Sequence, residues 1–65
     1  MDRSQVAVVI PAFNERETIS AVVRSVEKWG MPVVVDDASS DGTGDEAAAA
    51  GATVVRLQMN GGYDR

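Results

Sequence analysis

The sequence predicts an α/β fold in which three parallel strands alternate with two helices, in the order β-α-β-α-β. Three short apolar runs rich in β-branched residues mark the strands, at residues 6–10, 31–35 and 53–57. Between them lie one segment with apolar residues at helical spacing and one short alanine-rich segment. Because such an alternation is typical of parallel crossovers, the order predicts a parallel sheet.

The first run, Val6 to Ile10, contains no polar residue, which is typical of a strand covered on both faces of a parallel sheet. We expect Pro11 to end this strand. The following helix is expected to begin after Asn14, a suitable N-cap residue, and to end at Gly30 and Pro32. Its apolar stripe consists of Ile19, Val22, Val23, Val26 and Trp29.

The second strand is expected at Met31 to Val35 and ends before Asp36 and Asp37. A polar loop follows at residues 38–44. The third strand is predicted at Thr53 to Leu57, and residues 60–62 predict a turn.

The short helix is predicted from Asp45 to Ala50, with Gly51 as its C-terminal cap. Thr43 and Glu46 stand at capping-box spacing at its start. Ser40 and Asp41 are the rival N-caps.

Each crossover is expected to be right-handed. Two such crossovers in the same direction give a Rossmann-like sheet of strand order 3-2-1, with both helices on one face. The strand at residues 6–10 would then have one bare face and one unpaired edge. An apolar edge of this kind favours pairing with another chain, so we expect self-association through this strand or pairing with a C-terminal part of the domain.

Composition excludes several classes of function. The 65 residues include no cysteine and no histidine, which excludes disulfides, zinc-finger sites and thiol or imidazole catalysis. Net charge is −4, and five acids lie within residues 36–46 without any base, so a nucleic-acid partner is not expected. The first apolar run is too short to span a bilayer, and the N-terminal residues show no signal-peptide pattern. A cytoplasmic location is therefore expected.

Two loops are candidates for a binding site, because ligands of open α/β sheets bind at the carboxyl ends of the strands. Residues 11–15 offer backbone groups, an aromatic ring and a carboxylate, although an ordinary strand-to-helix turn would explain them equally well. Asp36 and Asp37 place two adjacent carboxylates at a strand end, where they could accept hydrogen bonds from a base or a ribose, or approach a metal. A solvated turn is the alternative for this pair.

Three other patterns are weaker. Residues 37–48 begin like a calcium-binding loop, but Ala48 stands where a bidentate Glu is required. Residues 42–47 match the letters of a dinucleotide fingerprint, but they follow the second strand through an acidic loop. The acidic pair is similar to that of phospho-acceptor receiver domains, in which it follows the first strand instead.

Residues 8–15, VVIPAFNE, and residues 33–43, VVVDDASSDGT, closely resemble the family 2 glycosyltransferases. These enzymes adopt the glycosyltransferase A fold and include the dolichyl-phosphate mannosyltransferases. Asn60-Gly61-Gly62 resembles the next turn of the family, so the resemblance covers nearly the whole chain. It implies that residues 1–65 are the N-terminal part of one nucleotide-sugar-binding domain, which is incomplete here.

The resemblance implies a nucleoside-diphosphate sugar as the ligand. Pro11 and Phe13 would line the nucleobase pocket with Glu15 beside it, and Phe13 stands where the family often has Tyr. Asp37 would bind the base, Val35 would lie against it, and Asp36 would support the loop or the ribose. Ala38 replaces a frequent Gly. The residues assigned to the nucleotide sugar are Pro11, Ala12, Phe13, Glu15, Val35, Asp36 and Asp37.

The resemblance implies transfer of a sugar to an acceptor hydroxyl. The metal-binding Asp-x-Asp of the family, which holds Mg²⁺ or Mn²⁺ in the complete enzyme, does not occur in these 65 residues. We therefore expect no catalytic residue and no metal ligand in this chain, which should be inactive alone. A non-catalytic interaction or regulatory module is one alternative. A nucleotidyltransferase is another, although its glycine-rich basic loop is not found after the first strand.

Overall fold

The computed structural model describes residues 5–58, so the turn predicted at Asn60-Gly61-Gly62 lies outside the described residues. The five predicted elements are confirmed: β1 (Ala7–Ala12), α1 (Arg16–Val26), β2 (Met31–Asp37), α2 (Thr43–Ala49) and β3 (Thr53–Leu57). The strands form a parallel sheet of order β1-β2-β3 with β2 in the centre. Read from the other edge, these neighbours are written 3-2-1. None of the described helices is long and apolar enough to cross a membrane.

The first two strands are longer than predicted. Pro11 lies within β1 and does not end it. Because β1 pairs only with β2 among the described strands, a proline nitrogen that faces away from β2 costs no hydrogen bond. Pro32 lies within β2, ahead of the ladder to β3, which begins at Val33. β2 also continues through both aspartates to Asp37.

Helix α1 is shorter than predicted. It ends at Val26, and Trp29 is 67% exposed, so Trp29 does not belong to the apolar stripe. The chain leaves the helix early because Gly30 must approach the start of β1: a Cβ on Gly30 would lie 2.6 Å from the carbonyl oxygen of Val6. The same carbonyl accepts the N–H of Met31 at 2.7 Å. Gly30 therefore allows the start of β2 to approach Val6 closely, in addition to following the end of the helix.

Helix α2 also begins earlier than predicted. Its N-cap is Gly42, in a left-handed conformation, so the predicted capping box and both rival caps are wrong. The cap predicted at Gly51 is confirmed by its φ of 105° and by two hydrogen bonds, Gly51 N–H to Ala48 C=O and Ala52 N–H to Ala47 C=O. This pair of bonds is a Schellman motif, which turns the chain directly into β3.

Both helices pack on one face of the sheet. The core consists of Ala12, Ile19, Val23, Val34 and Ala47. The opposite face, which we call the open face, carries apolar side chains that no described element covers, including Val9, Met31, Val55 and Leu57. Among the described residues, β1 therefore has the one bare face expected from two crossovers in the same direction, and its unbroken apolar sequence does not mean that both faces are covered. Burial in β1 and β2 alternates along the strand instead.

Candidate functional site

The candidate site lies where β1 and β2 end side by side. Ala12 and Asp36 are the last residues of β1 and β2 that stand in register, and Pro11 is the partner of Val35 one row earlier. Side chains alternate between the two faces of a strand. Pro11 and Val35 therefore share the open face with Asp37, whereas Ala12 and Asp36 face the helices. The sheet thus divides the predicted residues between its two faces.

The side chain of Asp36 is buried and binds the backbone of the polar loop that follows β2. Its side chain is 4% exposed, and one carboxylate oxygen accepts the backbone N–H of Ser39 at 3.1 Å. Gly44 leaves room for this carboxylate, since a Cβ there would lie 2.7 Å from Oδ2 of Asp36. Arg56 is the in-register neighbour of Asp36 on β3, and its guanidinium donates to the carboxylate of Asp45 at 2.8 Å. Asp36 therefore stabilises the loop after β2 from the helix-covered face of the sheet, through its hydrogen bond with Ser39.

Asp37 stands at the middle of a tight three-residue turn. The N–H of Ala38 donates to the carbonyl of Asp36 at 2.9 Å, which fixes the backbone around Asp37. Ala38 has a φ of 60°, a left-handed conformation that is unusual for a residue with a Cβ. The side chain of Asp37 is half-buried, and Phe13, which follows the last paired residue of β1, is 48% exposed.

Two loops are joined at this edge of the sheet: loop 1, residues 13–15, and loop 2, residues 38–42. The backbone N–H of Asn14 donates to the hydroxyl of Ser39 at 2.8 Å. In return, the N–H of Ser40 donates to the side-chain oxygen of Asn14 at 3.0 Å. Asn14 has a φ of 51°, which asparagine tolerates better than most residues. Asn14 therefore links the loops in both directions.

Loop 2 and the first residue of α2 also hold the start of α1. The N–H of Glu15 donates to the hydroxyl of Thr43 at 2.8 Å, and the N–H of Arg16 donates to a carboxylate oxygen of Asp41 at 3.2 Å. Glu15 is the N-cap of α1 and makes no side-chain cap bond, so the N-cap predicted at Asn14 is wrong. The cap is supplied from a distant part of the chain.

The carboxylate of Asp41 accepts three hydrogen bonds. The hydroxyl and the backbone N–H of Thr43 both donate to Asp41, in addition to the N–H of Arg16. The hydrogen bond from the Thr43 hydroxyl is the main cause that lowers the pKa of Asp41 below its ordinary value. Since a carboxylate already occupies the start of α1, an anionic ligand would be repelled there.

A depression of about 330 Å³ lies beside this start of α1 and is polar. It is lined by Asn14, Glu15, Arg16, Glu17, Thr18 and Asp41. Of the residues predicted for the nucleotide sugar, only Glu15 reaches it. Glu17 of α1 and Asp41 of loop 2 also line it. Because these carboxylates and Glu15 would repel a negatively charged group, the depression suits a diphosphate poorly. Within residues 5–58, no group of three or more acidic side chains is placed to hold a metal ion.

The structure brings together part of the predicted set. Pro11, Val35 and Asp37 share the open face, and the exposed Phe13 directly follows β1. The buried Ala12 and Asp36 lie on the other face, and Glu15 is exposed at the start of α1. The sequence did not predict the hydrogen bonds that link these segments. The side chains that accept them belong to Asn14, Ser39, Asp41 and Thr43. Contacts between loops 25 residues apart leave no local pattern in the sequence. The one available signal was the tolerance of asparagine for a left-handed backbone conformation.

Comparison with known proteins assigns the chain to a family. The profile described as glycosyl transferase family 2 matches residues 7–65, which is nearly the whole chain. The chain belongs to glycosyl transferase family 2. This membership confirms the resemblance of the two loop sequences and supports a role in glycosyl transfer in general.

Three relatives of known sequence are similar to this family 2 chain. An uncharacterized protein of Methanocaldococcus jannaschii is 38% identical over 95% of the chain and 26% of its own length. The glucosyl-3-phosphoglycerate synthase of Mycolicibacterium smegmatis is 44% identical over 77% of the chain and 18% of its own length. An uncharacterized glycosyltransferase of Mycobacterium bovis is 42% identical over 89% of the chain and 26% of its own length. The chain therefore spans about a quarter or less of each of these relatives.

Proposed function

We propose that this chain is the donor-nucleoside-binding part of a glycosyltransferase that transfers a sugar from a nucleoside-diphosphate sugar to an acceptor hydroxyl. One observation carries the proposal: Pro11, Val35 and Asp37 lie together on the open face at the carboxyl ends of two adjacent parallel strands, and Phe13 directly follows the first of these strands. This edge is where open α/β sheets bind their ligands. Membership of glycosyl transferase family 2 supports the nucleotide sugar as the ligand.

The residues suit different parts of a nucleoside. The exposed Phe13 ring offers a flat apolar surface for stacking on a base, and Pro11 and Val35, which are partners in register, offer further apolar contacts. The carboxylate of Asp37 can accept hydrogen bonds from base N–H groups. In this proposal Ala12 and Asp36 act from the buried face, through the shape of the two loops, and Glu15 lies beside the pocket.

The diphosphate requires a different partner. The N–H groups of Glu15 and Arg16, at the start of α1, already donate to Thr43 and Asp41. An Mg²⁺ or Mn²⁺ ion held by other residues of the complete enzyme would neutralise the diphosphate and stabilise the leaving group. We therefore expect this chain to transfer no sugar, with or without Mn²⁺. Reproducible turnover that Asp37→Asn abolishes would contradict this expectation. The cytoplasmic location expected from the sequence stays a prediction.

Calorimetry with uridine and guanosine diphosphates tests the proposed site. We expect weak binding that Phe13→Ala weakens about tenfold, because aromatic stacking contributes about 1–3 kcal/mol for each base. Trp29→Ala is the matched control: Trp29 is also an exposed aromatic residue, but it precedes β2 at the opposite end of the strands. Equal losses for both variants would contradict the proposed site. If the unmodified chain binds neither nucleotide, the non-catalytic module is favoured instead.

A second comparison tests the acidic residue. Asp37→Asn should weaken nucleotide binding about tenfold, as expected for a hydrogen bond to a charged acceptor. Asp41→Asn should have a smaller effect, because Asp41 holds α1 and loop 2. Asp45→Asn serves as a surface control, since the Asp45 side chain is 79% exposed and contacts Arg56. Equal losses for Asp37→Asn and Asp41→Asn would count against Asp37 as the base contact.

A further inference from the structure

The Asn14 side chain and backbone join the two loops that carry the proposed nucleoside contacts. Asn14 directly follows Phe13 in loop 1, and its partners Ser39 and Ser40 lie two and three residues after Asp37. Its own N–H donates to Ser39, whereas its side-chain oxygen accepts from Ser40. Both bonds are made with Asn14 in a left-handed backbone conformation, at a φ of 51°.

The two strands turn at the same level. Ala12 and Asp36 are in register, and the residues two positions further on, Asn14 and Ala38, both have left-handed backbone, with φ of 51° and 60°. Phe13 and Asp37 thus each lie between a paired strand residue and a left-handed residue. The hydrogen bonds of Asn14 with Ser39 and Ser40 therefore join the two loops directly after Phe13 and shortly after Asp37.

On the basis of the proposed function, we infer that Asn14 is a positioning residue that makes the stacking contact of Phe13 and the polar contact of Asp37 depend on each other. Asn14 itself need not touch the nucleotide. Its side chain and its left-handed backbone hold loop 1 against loop 2, so that both contacts can reach the same nucleobase. Without this link, each loop can still offer its contact, but the two contacts no longer act on the same base together.

Three substitutions separate the parts of this role. Asn14→Gly keeps the left-handed backbone and the N–H to Ser39 but removes the acceptor for Ser40. Asn14→Asp keeps an acceptor oxygen and also tolerates the left-handed region. Ser25→Ala is the matched control, because it removes another exposed hydrogen bond, from the Ser25 hydroxyl to the Val22 carbonyl within α1. With the uncharged nucleosides uridine and guanosine as probes, we expect about fivefold weaker binding for Asn14→Gly and affinity within about twofold for the other two variants.

A double-mutant cycle distinguishes positioning from a structural role. In the unmodified chain, the affinity losses of Phe13→Ala and Asp37→Asn should not add, because each contact depends on the other. In the Asn14→Gly background the two losses should become additive. If they remain as non-additive as before, or if Asn14→Gly binds as tightly as the unmodified chain, the inference is wrong.

Hydrogen exchange in the absence of nucleotide separates this inference from the proposed function. In Asn14→Gly the amide of Ser40 should exchange faster, and the amide resonance of Asp37 should shift, whereas Ser25→Ala should leave both unchanged. If no nucleotide binds but these changes occur, the proposed function fails and the link between the loops stands. If Asp37 is unaffected by Asn14→Gly, the positioning role is overturned regardless of nucleotide binding.

Discussion

Asp41, which follows β2, accepts a hydrogen bond from the backbone N–H of Arg16, the first residue of α1, although the two residues lie 25 positions apart (3.2 Å). A helix start leaves backbone N–H groups without partners in the helix, and a side chain just before the helix usually satisfies one of them. Here the residue comes from the neighbouring loop. The start of α1 therefore depends on the correct position of loop 2.

The first prediction concerns the pH dependence of stability. The pKa of Asp41 is lowered in the folded chain, chiefly by the Thr43 hydroxyl, so Asp41 stabilises the fold at pH values above its ordinary pKa of 3.8. This stabilisation should be lost as the pH falls from 3.8 through the lowered pKa of the folded chain. Asp41→Asn should lower the thermal midpoint near neutral pH, and the difference from the unmodified chain should disappear in acid.

Asp45→Asn is the control for this prediction, because Asp45 is exposed and makes no contact between the loops. Thermal unfolding of the three chains at a series of pH values gives the comparison. A constant difference between Asp41→Asn and the unmodified chain at all pH values would show that Asp41 does not contribute through its charge.

The second prediction concerns Gly44, the second residue of α2. Helix propensity alone favours Gly44→Ala by up to about 1 kcal/mol. A Cβ at this position would lie 2.7 Å from Oδ2 of Asp36 and 3.0 Å from Cζ of Arg56. Because the Asp36 side chain is buried and holds Ser39, we expect the substitution to destabilise the chain by about 1–3 kcal/mol. Denaturant unfolding measures the change.

The reverse exchange at an exposed position of the same helix provides the control. Ala48→Gly should destabilise the chain by about 0.5–1 kcal/mol, through propensity alone. Helix propensity alone predicts that Gly44→Ala stabilises the chain and that Ala48→Gly destabilises it. The contact with Asp36 predicts instead that both substitutions lower the free energy of unfolding. A stabilising Gly44→Ala would mean that Asp36 moves away at little cost.

The third prediction concerns Ala38. A residue with a Cβ in the left-handed region costs about 1–2 kcal/mol, and Ala38 has a φ of 60°. Ala38→Gly should therefore stabilise the chain by about 1 kcal/mol in denaturant unfolding. Ala49→Gly, an exposed position in α2, should do the opposite. If both substitutions destabilise to the same extent, Ala38 bears no strain.

The fourth prediction concerns the open face. Val9 is 61% exposed on β1, which pairs only with β2 in the part of the chain that the structure describes. We expect the chain to self-associate through this strand, since an apolar edge and a bare sheet face both favour association. Light scattering coupled to size exclusion should show a mass that rises with concentration.

Val9→Lys should reduce this association, because a lysine on an edge strand opposes pairing. Val22→Lys, which adds the same charge at an exposed position of α1, should not. A sharp monomer peak for the unmodified chain at high concentration, with a cooperative thermal transition, would show that the open face does not drive association.

The order of the elements could be predicted because it depends on local patterns. The apolar runs predicted all three strands, and Gly51 predicted the end of α2. The errors arose where distant residues decide the local structure. Trp29 fits the helical spacing of α1, but the approach of Gly30 to Val6 ends the helix before it.

The candidate site shows the same division. Strand-end residues such as Pro11 and Asp37 could be predicted, since parallel strands end at one edge of the sheet. Their division between two faces could not be predicted, because it needed the true extent of each strand: β1 runs through Pro11 to Ala12, and β2 runs to Asp37. The contacts of Asn14 and Asp41 with the opposite loop segments depend on tertiary structure alone.

The hydrogen bonds between loop 1 and the segment from loop 2 to Thr43 also limit how this fold can be recombined. Backbone donors of residues 14–16 rely on side chains of Ser39, Asp41 and Thr43, and a donor of loop 2 relies on the side chain of Asn14. A chimera that imports either loop from another protein would leave these donors without acceptors, even if the strand lengths agreed. The smallest segment that can be grafted intact therefore runs from residue 13 to residue 43, including α1 and β2, and an exchange of specificity between relatives would have to transfer it whole.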